Sequence, residues 1–219
     1  MKTLVVAPHP DDETLGCGGT LLRRKSEGSE LAWVIVTTVS DILNWSEEDI
    51  EKRDKEIKKV AKLYGFTKVY QLGFPSAELD IIPRHKLIKS LSQSFNDFLP
   101  NEIFMPFHGD NHSDHTIIAE SINTVIKWIS TAPLSVYCYE TLSETELSNS
   151  QKGTFSPNVY IDISKFLKKK IKIMSIYENQ LKEHPFPRSE LAIKSLAYLR
   201  GSSINANAAE AFSLFKKII

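Results

Sequence analysis

Short runs of branched apolar residues alternate along the chain with longer stretches in which apolar residues recur every three to four positions. The runs at 4–7, 31–38, 68–72, 102–105 and 134–139 read as buried strands of a parallel sheet. Between the second and third, 46–64 reads as a helix lying on that sheet. Ser46 and Asp49 make a capping-box-like start, Ile50, Ile57, Val60 and Tyr64 share one face, and Gly65 closes the end. A second helix is predicted over about 84–99 and a third over about 115–129, with Ile118, Ile122, Val125 and Ile129 on one stripe. From 143 to 158 the chain turns polar and loses any period, as a long loop of the kind that often covers a site does. A further strand is expected at 159–163. Ser164 then caps a helix running to about Lys182, with Leu167, Ile171, Met174 and Ile176 inward and Lys168, Lys169 and Lys170 on its solvated side. The βαβα order predicts a three-layer α/β/α Rossmann-like sandwich with a mostly parallel sheet, a single domain over 1–219.

Composition narrows the partners. Lys plus Arg and Asp plus Glu both total 27, so no general field draws nucleic acid or an anionic membrane, and a small-molecule partner is expected. The two cysteines, Cys17 and Cys138, lie far apart and make no disulfide framework, which points to a reducing compartment and a cytoplasmic location. Cys17 reads as a small packing residue. Four apolar residues between Thr3 and Pro8 are too few for a signal segment, and no run approaches the length of a membrane span. A chain of 219 residues can bury a core without a structural metal, so any metal is free for catalysis. A homo-oligomer is compatible with all of this.

Two motifs carry the chemistry. Pro8-His9-Pro10-Asp11-Asp12-Glu13 follows the first strand and precedes a segment containing Gly16, Gly18 and Gly19, whose missing side chains let a helix lie close to the sheet. Asp110-Asn111-His112-Ser113-Asp114-His115 follows the fourth strand in the same way. If these two strands are neighbours across a topological switch point, both motifs face one crevice at the carboxyl edge of the sheet. His9, Asp12 and His115 form a mixed imidazole and carboxylate set suited to zinc or a similar first-row ion, with a position open for water. Asp11, beside Asp12, is then placed to act as general base. A lone histidine or an acidic pair at a helix start has a commonplace reading as a hydrogen-bonded residue or an N-cap. Here three of the six histidines fall within two short motifs, each flanked by Asp.

These motifs resemble those of the LmbE-like, or PIG-L-like, N-acetylglucosaminyl deacetylases, which carry HPDDE after a strand and a later HxDH. The resemblance extends to Arg53-Asp54-Lys55-Glu56, similar to the family's R-x-x-E, and to Leu72-Gly73-Phe74-Pro75, similar to its LGFP turn. It continues through 184–188, Arg200-Gly201 and Ala209-Glu210-Ala211-Phe212, and so covers most of the chain. Ser113, where the family often has Pro, and 204–207 depart from the pattern. The resemblance implies zinc, or Fe2+ or another divalent first-row ion in its place, held by His9, Asp12 and His115. It implies Asp11 as base, His112 as a cationic oxyanion-stabilising histidine, Asp114 as the partner that orients it, and Arg53 as a substrate-binding residue. The substrate it implies is an N-acetylated amino sugar, glycoconjugate or nucleotide sugar. His108 reads as an ordinary loop histidine, His85 as exposed, and His184 as a loop residue near the mouth of the site. The alternatives are a metal-dependent phosphoesterase, which would want two metals, and a non-catalytic sugar- or nucleotide-binding module on the same fold.

Overall fold

The computed structural model describes residues 1–38, 46–128, 134–148 and 153–219. A seven-stranded sheet runs through the centre in the order β3-β2-β1-β4-β5-β7-β6. Its first five strands in the chain, β1 (Lys2–Ala7), β2 (Glu30–Thr38), β3 (Lys68–Pro75), β4 (Glu102–Pro106) and β5 (Leu134–Tyr139), are mutually parallel. β7 (Ala209–Ile218) runs antiparallel between β5 and β6 (Val159–Asp162). Alternate residues of the central strands feed two cores: Val5, Ala7, Trp33 and Ile35 face one layer of helices, and Leu4, Val6, Val34 and Val36 the other. The first layer holds α1 (Asp12–Ser26), α2 (Glu47–Tyr64), α5 (Leu167–Met174) and α6 (Glu190–Ser202). The second holds α3 (Arg84–Phe98) and α4 (Ser113–Val125). This is the three-layer α/β/α sandwich expected from the pattern.

From β1 the chain winds outward through β2 and β3 in one direction and through β4 and β5 in the other. The switch point therefore lies between β1 and β4, which pair directly, Thr3 opposite Glu102 and Val5 opposite Phe104. Residues 8–13 and 110–115 consequently emerge side by side.

Several elements carry the expected chemistry. Ser46 and Asp49 form a reciprocal capping box, and Gly65 ends α2 in the left-handed conformation. Ile57, Val60 and Tyr64 are buried on α2, whereas Ile50 is exposed. Ile118, Ile122 and Val125 are buried on α4, and Ile129 lies outside the described residues. The glycine reading also holds, because a Cβ on Gly16 would come within 2.2 Å of the Tyr139 ring. Cys17 is fully buried.

Three expectations are corrected, and two further features are new. The helix foreseen over 164–182 is only α5, Leu167–Met174, followed by turns, and it is not capped by Ser164, whose hydroxyl bonds Asp162 two residues back. Lys170 is not on a solvated face. It is buried, donating to Glu210 Oε1 at 2.7 Å and to the Leu15 carbonyl at 2.8 Å. α1 is broken at Cys17 (φ −144°, ψ 21°), and the same Glu210 carboxylate accepts the freed N–H groups, that of Gly19 at Oε1 (2.8 Å) and that of Thr20 at Oε2 (2.7 Å). The buried pair thus satisfies backbone groups on both sides of the break. Finally, α6 and β7 have no counterpart among the elements predicted from the pattern.

The polar stretch from 143 contains no helix or strand among its described residues, 143–148 and 153–158, and 149–152 lie outside them. Its first part is tied down on the second motif: Thr145 Oγ1 donates to Asp110 Oδ1 at 2.6 Å, the Glu144 carbonyl accepts from Asn111 N–H at 3.2 Å, and Ser148 bonds the Gly109 carbonyl. Among the described residues no helix is long and apolar enough to cross a membrane.

Candidate metal centre and active-site cleft

Both motifs sit at strand-to-helix junctions. Asp12 opens α1 immediately after β1. His112 is the N-cap residue of α4, whose first turn carries Asp114 and His115. The two helix starts converge on a cleft of about 350 Å³, a size that suits a small-molecule ligand. His9, Asp11, Asp12, His112 and His115 line its floor, and Arg53, Glu144 and Arg188 its walls.

Three side chains meet at one oxygen. Asp12 Oδ2 lies 3.3 Å from His9 Nδ1 and 3.4 Å from His115 Nε2. Two donors each about 2.0–2.1 Å from a tetrahedral ion stand about 3.3 Å apart, so this donor set fits a zinc-sized cation. The far ring nitrogens support the same assignment: His115 Nδ1 is 2.8 Å from Asp110 Oδ2, and His9 Nε2 is 3.2 Å from Asp114 Oδ2. A metal-ligating histidine commonly hands its other nitrogen to a carboxylate in this way. A second group, His9, His112 and Asp114, also lies close enough to share an ion. It draws on the same His9, and its Asp114 Oδ2 already accepts the Ala77 N–H at 2.8 Å.

The electrostatics agree with a cation site. Burial alone would lower the pKa of His9, yet the Asp114 and Asp12 carboxylates outweigh it and lift it to about 9. Burial likewise opposes the charge on His115, and Asp12 with Asp110 raises it to about 10. Asp12, although buried, is held far below the usual carboxylate range by His115 and His9. The same carboxylates that would draw a cation therefore favour protons on His9 and His115. A divalent ion needs both imidazoles neutral, so metal uptake at pH 7 is expected to expel up to two protons, from His9 and His115. Affinity should accordingly climb with pH and level off above about 9–10. Calorimetric titration in buffers of different ionisation enthalpy measures the released protons. Uptake with no proton release would contradict the assignment.

Asp11 stands beside this centre with a buried carboxyl. Burial and the neighbouring Asp12 raise its pKa to about 7, against the opposing pull of Arg188, His9 and Arg53. Arg188 reaches it from 177 residues away, Nη1 to Oδ2 at 3.4 Å. Sequence reasoning gives Arg188 no role and misses Asp110 as the partner of His115. The Arg188 contact has no local signature, whereas Asp110 stands only five residues before His115 in the same motif, a spacing that could have suggested it. His184 does not line the cleft; its segment reaches the site through Arg188.

His112 and Asp114 are related differently from what the resemblance implies. The Asp114 carboxylate serves His9 and Ala77, and it is the Asp114 backbone N–H that donates to His112 Nδ1, at 3.1 Å. His112 is not cationic in the metal-free protein: burial, reinforced by His9 and His115, lowers its pKa to about 4. With Nδ1 accepting, the neutral ring carries its proton on Nε2. The His112 ring is thus oriented by the main chain, with Nε2 left toward the cleft.

The family model for GlcNAc-PI de-N-acetylases, PIG-L, matches residues 4–126, more than half of the chain. This chain belongs to the PIG-L family. The diacetylchitobiose deacetylase of Thermococcus kodakarensis is 24% identical to it over 213 residues, 91% of this chain and 78% of that one. A conserved Thermus thermophilus protein, TT1542, superposes with a TM-score of 0.79 at 26% identity, covering 99% of this chain and 96% of its own. A 4-carboxy-2-hydroxymuconate hydratase from Pseudomonas putida shares the fold at a TM-score of 0.74 and 16% identity, over 100% of this chain and 98% of the hydratase. The PIG-L fold thus supports more than one chemistry, and function has to be argued from the cleft.

Proposed function

We propose that the chain is a metal-dependent N-deacylase that removes an acetyl group from an N-acetylated amino sugar, glycoconjugate or nucleotide sugar. The observation that carries this reading is the convergence of His9 Nδ1 and His115 Nε2 on Asp12 Oδ2, with the carboxylate of Asp11 next to it in the same cleft. Family membership and the likeness to a diacetylchitobiose deacetylase support the N-acetyl sugar as substrate class.

His9, Asp12 and His115 would hold the ion, which, as zinc or another divalent first-row metal, supplies Lewis-acid chemistry at the acyl oxygen and acidifies water. Asp11 takes a proton from the attacking water as its oxygen bonds to the acyl carbon. His112 donates its Nε2–H to the acyl oxygen as negative charge gathers there, a contribution worth about 10²–10³-fold in comparable sites. Asp11 then passes the proton to the amine nitrogen as the C–N bond breaks. Acetate and the free amine leave. Asp114 positions His9 through its carboxylate and His112 through its backbone, and Asp110 positions His115.

A phosphoesterase working with two metals is less well supported, because the second possible ligand group shares His9 with the first. The test is acetate release from a panel of N-acetylated sugars, nucleotide sugars and glycoconjugates by the metal-loaded protein. Release from at least one is expected. No release from any member, with one ion bound per chain, would favour the binding module.

A further inference from the structure

Asp11 has a backbone conformation that an L-residue rarely adopts, φ 143° and ψ −28°. Such a conformation is strained for an L-residue and persists only where surrounding groups enforce it. What enforces it is visible at both ends of one peptide unit. The carbonyl of Pro10 accepts from Arg53 Nη1 at 3.3 Å, and the N–H of Asp11, across the same peptide bond, donates to Glu13 Oε2 at 3.0 Å. The Asp11 carbonyl, in turn, accepts from Thr14 and Leu15 N–H, both at 2.9 Å.

The two gripping side chains are braced by a third residue. Tyr177 donates its hydroxyl to Glu13 Oε1 at 2.8 Å, and its ring lies 5.6 Å from the Arg53 guanidinium carbon. Thr14 also donates to Glu13 Oε1, at 2.5 Å, and Tyr64 donates to Thr14 at 3.0 Å. Glu56 Oε2 lies 3.3 Å from the same Arg53 Nη1 that reaches the Pro10 carbonyl. Glu13 has no exposed surface, and neither it nor Tyr177 lines the cleft, so neither can touch a substrate there.

We infer that Arg53 and Glu13, braced by Tyr177, clamp the Pro10–Asp11 peptide and so aim the Asp11 carboxylate into the cleft. They are positioning residues that act through Asp11. The inference rests on the proposed role of Asp11 as base, and it gives Arg53 a task other than gripping substrate. It also gives the third acid of the first motif a function.

The test is a set of variants in the metal-loaded protein. A base displaced by about 1 Å can lose about 10²-fold in rate. Glu13→Ala and Arg53→Ala are each expected to lower kcat by about that factor while KM and bound metal per chain stay near the wild-type values. Gln at position 13 can still accept the Asp11 N–H, so Glu13→Gln should restore most of the lost kcat. In an Asp11→Ala background neither alanine substitution should reduce the residual rate further. A raised KM with unchanged kcat in Arg53→Ala would overturn the clamp in favour of substrate gripping. Equal losses in Glu13→Gln and Glu13→Ala would overturn it too. Should Glu13→Ala not fold, Arg53→Ala, at the cleft wall, carries the same comparison. If the wild-type protein released no acetate, the deacylase reading would fail, but crystal structures of the variants would still decide the clamp. Asp11 should leave positive φ in Arg53→Ala or Glu13→Ala, and an unchanged Asp11 would refute the inference.

Discussion

Replacing Asp11 by Asn is expected to lower turnover by about 10²–10⁴-fold while the protein still takes up its metal. Asn has nearly the shape of Asp and can keep the contact with Arg188, but it cannot accept and return a proton. The ligand set of His9, Asp12 and His115 does not include residue 11, so metal content should remain that of the wild type. The pH profile supplies a second readout. The proposed base works as the carboxylate, so activity should rise with pH through the Asp11 pKa, which is raised to about 7 by burial and Asp12 and would fall with a cation beside it. That rising limb should vanish in Asp11→Asn. Acetate release between pH 4 and 9, with metal measured on the same samples, checks both statements.

The other large effect is expected at Asp12. Its Oδ2 is the point on which both imidazoles converge, and it is the only anionic member of the ligand set. Asp12→Ala removes one of the three proposed ligands together with the charge that would draw a cation into a buried site. Loss of a carboxylate that only supports a ligand typically weakens metal binding by about 10–100-fold, which is the effect expected for Asp110→Asn. Asp12→Ala should exceed it and abolish measurable turnover. Equilibrium dialysis of the two variants against zinc orders them directly. Asp12→Ala with wild-type affinity would displace the centre from His9, Asp12 and His115 altogether.

The site is largely legible in the sequence because its chemistry is local. Each motif is a handful of residues placed directly after a buried apolar run, and the switch point between β1 and β4 brings the two together. What the sequence does not disclose depends on long-range contact or on buried faces made of small residues. α6 buries Ile193, Ala197 and Gly201, while its large apolar side chains Leu191, Tyr198 and Leu199 point outward, so its hydrophobic period does not mark the face that packs. β7 is buried only over its first four residues, and beyond them every residue is exposed or only half-buried, Lys216 and Lys217 included. Lys170 reads as solvated because two exposed lysines precede it and its partner, Glu210, belongs to that unrecognised strand. The partner of His112 escapes the sequence for a related reason. Asp114 lies two residues away and invites a side-chain pairing, whereas the fold turns that carboxylate toward His9 and leaves only the backbone N–H for His112.

One ion held by His9, Asp12 and His115, with Asp11 as base, is what we propose makes this cleft an N-deacylase. Acetate release by the metal-stripped protein, measured as zinc is added back, tests it most directly. Activity should be absent without metal, rise in proportion to bound ion and reach its plateau at one per chain, and Asp11→Asn should bind the same ion without turnover. Full activity in the stripped protein, or undiminished activity in Asp11→Asn, would contradict the account.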